Sequence, residues 1–115
     1  MNIYDEIIKK FKNGDKIPLL TNGKFDIYIE TTSTKVNGIF YKKAILFEIS
    51  VTNKKRITSE FIELTYQYYI KNNKCFPNRD WYINHNDLNY EYKSRPCNYA
   101  VAQGLINQTL NTKTL

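Results

Sequence analysis

One histidine, one tryptophan and two cysteines are the whole stock this chain offers to metal-centred or histidine-based chemistry. Cys75, His85 and Cys97 stand far apart, with no Cys-x-x-Cys or His-x-x-x-His pair, so neither a zinc centre nor a cysteine–histidine nucleophile is expected, and no cofactor. The four glycines are scattered in Asn-Gly and Gln-Gly contexts, which excludes a glycine-rich phosphate loop. No apolar run approaches the roughly 20 residues of a membrane span. The opening residues Met1-Asn2-Ile3-Tyr4-Asp5-Glu6 have neither the basic nor the apolar segment of a secretory signal. A cytoplasmic protein with unbridged thiols is the expectation.

Acid is also scarce. Asp and Glu number 11 against 17 Lys and Arg, a formal net charge of +6, which favours anionic partners. Part of that excess accompanies the abundance of Asn, Lys, Ile and Tyr that AT-rich codons produce. What the chain has in quantity is tyrosine, 10 residues, a side chain suited both to core edges and to wet interfaces. At 115 residues it is long enough for one domain with a core of its own.

The pattern predicts an α+β fold in a single domain over residues 1–115. Ile3, Ile7, Ile8 and Phe11 recur at helical spacing from Asn2 to Lys12, with Asp5 and Glu6 at the start and lysines at the end, as the helix dipole prefers. Asn13-Gly14-Asp15 stops this helix, and Ile17-Pro18-Leu19-Leu20 leads to a turn at Thr21-Asn22-Gly23. The apolar period then becomes two: Phe25, Ile27 and Ile29 predict one strand, and Ile45, Phe47, Ile49 and Val51 another. Asn37-Gly38 signals a hairpin between them. A two-residue turn there would put the two odd-numbered apolar sets on opposite faces, so a bulge or a short strand at Ile39-Phe40-Tyr41 is needed to restore register. The expected sheet is antiparallel, of two or three strands, within residues 24–52.

Thr58 or Ser59 caps a helix to about Asn72, apolar on more than one face and therefore central. Trp81-Tyr82-Ile83 and the alternation of Leu88, Tyr90 and Tyr92 predict a small hairpin around Asn84–Asp87. A final helix over about 95–110 begins at Ser94 as cap with Pro96 in its first turn. One side would carry Cys97, Ala100, Val101, Gly104 and Leu105 into the core. The other, with Arg95, Asn98, Tyr99, Ala102 and Ile106, would be free for contact. The tail from Asn107 is polar. The expected core is Phe25, Ile27, Ile29, Ile45, Phe47, Ile49, Phe61, Leu64, Val101 and Leu105.

The functional expectation is a small basic nucleic-acid-binding protein, with DNA favoured, working through the C-terminal helix and the hairpin before it. Arg95 and Asn98 are of the kinds that contact guanine and adenine edges, with Tyr99 beside them. Arg79, His85 and Lys93 belong to the hairpin. Lys42, Lys43, Lys54, Lys55 and Arg56 with Lys35 form a basic strip whose only acid is Glu48, suited to phosphates. Each feature has a plainer use: an arginine in an ion pair, an asparagine as a cap, lysines guarding a sheet edge. The alternative from another class is a protein-binding accessory or inhibitory protein of a mobile element or phage, using the same aromatic-rich surface. A metal-dependent nuclease would need Asp26 and Glu48 as paired carboxylates on neighbouring strands, and it is disfavoured because Ser50 stands where a Glu-x-Lys strand has its lysine.

Overall fold

The computed structural model of the protein describes residues 2–20, 24–36, 40–48 and 54–111; for 29–36 and 40–42 only the backbone is described. Helix α1 (Ile3–Lys10) starts where Asn2 accepts a hydrogen bond from the Asp5 amide, and it sets Ile3, Tyr4 and Ile7 inward. Gly14, at φ +88°, allows the sharp turn into β1 (Asp15–Pro18). This strand was expected only as a lead to a turn. It pairs through Ile17↔Phe25 with β2 (Lys24–Val36).

Strand β3 (Phe40–Glu48) and strand β4 (Lys55–Thr58) complete an antiparallel sheet of four strands in the order β1-β2-β3-β4, one or two more than expected. The fourth lies beyond residues 24–52, where the sheet was expected to end. Ile57 is its apolar residue, fully buried opposite Ile45.

The register conflict between the strands is resolved at their connection, and the later shift keeps the parity. Val36 pairs with Phe40, so three residues rather than two connect β2 and β3, and the paired numbers sum to an even value. Between Tyr28 and Thr32 the register then shifts, with Ile29–Thr31 opposite Ile45 alone. Phe25, Ile27, Ile45 and Phe47 therefore share one face and are fully buried there. Lys16, Asp26, Tyr28, Leu46, Glu48 and Arg56 alternate onto the opposite, open face. Ile49, Val51 and the Asn37-Gly38 turn lie outside the described residues.

Helix α2 (Ser59–Lys71) is capped by Thr58, whose hydroxyl accepts from the Phe61 amide. It packs against α1, β3 and β4 and runs beside α5 (Asn98–Leu110), which lies against β1. The approach is close: a Cβ added at Gly104 would meet the Pro18 carbonyl at 3.0 Å. Of the expected core, Phe25, Ile27, Ile45, Phe47, Phe61, Val101 and Leu105 are fully buried and Leu64 is half-buried.

The expected hairpin is two short helices, α3 (Arg79–Ile83) and α4 (Asn89–Ser94). Asn78 caps α3 by accepting from the Trp81 amide. Leu88 and Tyr92 are buried while Tyr90 is 81% exposed, which is the i, i+4 spacing of a helix turn and contradicts a strand. Ser94 correspondingly ends α4 instead of starting the last helix. The residue before a proline is driven from helical geometry, and Arg95, at φ −139° ψ 77°, closes α4 one residue before Pro96.

Tyr82 joins these pieces. Its ring stacks on Phe61 at 4.9 Å, and its hydroxyl meets the Thr65 hydroxyl at 2.8 Å. Burial pushes its phenol up to about 12, with hydrogen bonds to Thr65 and Gln103 opposing the rise. Folding therefore favours the protonated phenol. The stability this adds is complete below the unfolded value near 10 and is lost as pH rises through about 12, a change of about 3 kcal/mol. Tyr4, also raised by burial and then by Asp5, acts in the same direction. Denaturant titrations across that range should show the fall, and Tyr82→Phe should make it much shallower. An unchanged pH dependence in that variant would place the titrating group elsewhere.

Candidate nucleic-acid interface

The centre of the candidate site is a carboxylate that carries no charge partner among the described residues but three hydrogen-bond donors. Glu91, on α4, accepts from the Thr58 amide at 3.1 Å, from the Thr58 hydroxyl at 2.6 Å and from the Asn98 side-chain amide at 2.7 Å. Asn98 donates also to the Arg56 carbonyl at 3.1 Å. The edge strand β4, the start of α2, the helix α4 and the start of α5 are thus tied at one point. Main-chain groups on the outer side of β4 that would otherwise be open find partners there.

This junction ties together the chain segments that carry the two basic groups expected from the sequence. Lys54 and Arg56 are exposed on the open side of β4, with Lys55 half-buried between them. Lys93, exposed, follows Glu91 by two residues, and Arg95, half-buried, hydrogen-bonds through its amide to the Glu91 carbonyl at 2.8 Å. The Lys54 ammonium stands 4.7 Å over the Tyr28 ring. Lys43, also exposed, lies next to Ala44, the residue of β3 that pairs with Thr58. The Lys42 side chain lies outside the described residues.

Other expected positions are corrected. Asn98 is fully buried, and among the described residues its Oδ1 has no hydrogen-bond partner, so it faces the Glu91 junction and not a ligand at the surface. Ala102 and Ile106 are fully buried as well: α5 is enclosed on nearly every side by α1, α2 and β1, which removes the free contact side expected of it. Tyr99 is half-buried in a ring cluster, 6.0 Å from Tyr82 and 6.1 Å from Tyr92. Arg79 and His85 lie on a different flank. His85 stands 4.8 Å from the Trp81 ring and accepts from the Asp87 amide at 3.2 Å, beside a shallow groove of about 200 Å³ between α2 and α3.

Asp26 and Glu48 are directly paired across β2 and β3 on the open face, with Lys16 opposite Asp26. The Tyr28 phenol is raised by the Glu48 carboxylate first, then by burial and Asp26. Among the described residues no group of three histidine, cysteine or carboxylate side chains is placed to hold a metal ion. The two carboxylates repel each other across the strands, and Lys16 opposite Asp26 offsets part of that repulsion on the wet sheet face. Cys75 is exposed and Cys97 half-buried, and both are free thiols. No helix among the described residues is long and apolar enough to cross a membrane.

Glu91 was missed as a key residue because nothing local marks it. Read within a strand it is one more outward polar residue, and Thr58, its main partner, is remote in sequence. Comparison with protein-family models, with curated proteins and with solved structures gives no match to this chain.

Proposed function

We propose that this is a small nucleic-acid-binding protein that holds the phosphate backbone against a basic surface running along the β4 edge and onto the α4–α5 junction. The observation that supports it is the set of hydrogen bonds meeting at Glu91 and Asn98, which ties the segment carrying Lys54, Lys55 and Arg56 to the segment carrying Lys93 and Arg95 although they are remote in sequence. Lysine and arginine side chains there attract phosphate without reading sequence, and release of counterions makes the affinity fall with salt. With Asn98 buried, base-edge readout from the last helix loses its main adenine-type reader. The binding is therefore expected to vary little with sequence.

The direct test is a titration against duplex DNA, single-stranded DNA and RNA at two salt concentrations. Binding that weakens steeply with salt supports the reading. Absence of binding to all three at low salt would reject it.

A second reading, a protein-binding accessory or inhibitory protein, is favoured by one specific observation. Tyr90 is 81% exposed and Ile83 is 41% exposed on the neighbouring helices α4 and α3, the kind of side chains that anchor protein contacts. If nucleic acid is not bound and Tyr90→Ala abolishes a defined protein complex, this second reading replaces the first.

A further inference from the structure

The face of the sheet opposite the core is uncovered among the described residues, and the strand register sorts its side chains into rows. One row is Lys16↔Asp26↔Glu48 across β1, β2 and β3, and the next is Tyr28↔Leu46↔Arg56 across β2, β3 and β4. Lys24 and Lys54 alternate onto the same face at its margins. At about 4.8 Å between strands, four strands make a face roughly 14 Å wide.

Charge is sorted on this face. Asp26, Tyr28, Leu46 and Glu48, on the two inner strands, are half-buried, while Lys16, Lys24, Lys54 and Arg56 are exposed around them. Lys16 and Arg56 stand on the outer strands, Lys24 at the first residue of β2 and Lys54 just before β4. The centre thus holds an aromatic ring, an aliphatic side chain and two carboxylates, and the rim holds cations. The ring is reached from above. The Lys54 ammonium, from beside β4, stands 4.7 Å over the ring of Tyr28, which belongs to β2, and β3 runs between those two strands. Contact across an intervening strand is made above the sheet, so the ring turns a face outward beneath an exposed lysine.

We infer that this open sheet face binds single-stranded RNA, with a base stacked on Tyr28 and phosphates on the cationic rim. The inference rests on the nucleic-acid reading above and adds the surface, the strandedness and the sugar. A single strand can turn its bases inward and its phosphates outward, which matches an apolar, acceptor-rich centre inside a rim of cations. A duplex carries its phosphates on the outside, where a flat face would set them against Asp26 and Glu48. These carboxylates accept hydrogen bonds and donate none. Base amino groups supply donors in any single strand, and the ribose 2′-hydroxyl supplies one that deoxyribose lacks, which favours RNA. A base that takes the outward face of Tyr28 displaces Lys54 from the ring and leaves its ammonium for the adjoining phosphate. Arg56 belongs both to this rim and to β4, so the bound strand continues from the face onto the phosphate surface of the β4 edge.

The test measures the affinity of the full chain for four probes of equal length at two salt concentrations: single-stranded RNA, single-stranded DNA of the same sequence, the DNA duplex, and an abasic strand that keeps the phosphates without bases. Thermal melting establishes that each variant is folded. The wild type should bind the RNA strand most tightly. Tyr28→Ala should weaken RNA binding by about tenfold or more, the scale of one lost base–aromatic stack. Its salt slope should not change, because no cation is removed, and its affinity for the duplex and the abasic strand should stay as in the wild type. Tyr28→Phe, which keeps the ring, should bind RNA nearly as the wild type does. Asp26→Asn/Glu48→Gln should strengthen duplex binding and so narrow the preference for RNA. An abasic strand held by the wild type as tightly as RNA overturns the proposal without recourse to any variant, and it leaves the phosphate surface standing. So does a folded Tyr28→Ala protein that binds RNA as the wild type does, or a DNA strand or duplex bound as tightly as the RNA. Binding to none of the four probes removes the nucleic-acid reading as well.

Discussion

Glu91→Ala should lower the stability of the folded protein by about 2–4 kcal/mol, a large part of what a domain of this size has. The carboxylate accepts from the Thr58 amide, the Thr58 hydroxyl and the Asn98 side-chain amide, and alanine can replace none of these acceptors. The Asn98 amide is fully buried, so water does not readily take the place of Glu91 there. Asn98→Ala should cost less, because it removes donors together with the buried Oδ1 that has no partner among the described residues. The two losses should combine to less than their sum, since they share one hydrogen bond. Asn98→Asp should be worse than Asn98→Ala: it sets a second carboxylate at the 2.7 Å contact with Glu91, where both cannot remain ionised. Denaturant titrations of the three single variants and the double variant measure all of these effects. A Glu91→Ala protein as stable as the wild type would show that the junction does not hold β4 to α4 and α5.

The parts of this fold legible in the sequence are those where one periodicity meets one environment. Phe25, Ile27, Ile45 and Phe47 alternate because one face of the sheet is covered and the other is wet. Ile3 and Ile7 with the capping Asn2 write α1 plainly, and Thr58 writes the start of α2. The stretch from Trp81 to Arg95 misled because tyrosine and leucine at i and i+2 imitate a strand. What decides is the tertiary setting: Leu88 and Tyr92 reach the same core from successive turns, while Tyr90 points to solvent. The final helix misled for another reason. A helix buried on nearly all sides gives no clear polar face, so Ala102 and Ile106 looked available for contact when other helices and β1 already covered them. Of the site, the cations were legible as a strip and as a cluster, but their meeting was not. It depends on Glu91 reaching Thr58 across the fold, a contact between residues remote in sequence.

Replacing Lys54, Lys55, Arg56, Lys93 and Arg95 together with alanine should reduce nucleic-acid affinity by about two to three orders of magnitude at low salt. If all five neutralise phosphates, the slope of log affinity against log salt should flatten by about 4 to 5 on duplex DNA, since each contact contributes about 0.9. Affinity alone does not prove the site, because the chain carries a net charge of +6 and any removal of lysines weakens attraction to a polyanion. The control is a variant with the same charge change elsewhere: Lys9, Lys10 and Lys12 at the end of α1, with Lys71 and Lys74 at the end of α2, all to alanine. One of these, Lys9, already lies 3.7 Å from Glu6. The control should lose only the long-range share of the attraction, which is screened over about 10 Å at 0.1 M salt, and its slope should stay close to that of the wild type. His85→Ala, on the flank beside Trp81, should leave affinity unchanged, and Arg79→Ala should lose only the small long-range share of one charge. Equal losses in the two five-residue variants would reduce the binding to net charge and dissolve the surface at the β4 edge. A loss confined to the first variant, with melting temperatures showing both folded, locates the phosphate contacts where Glu91 draws β4 and α4 together.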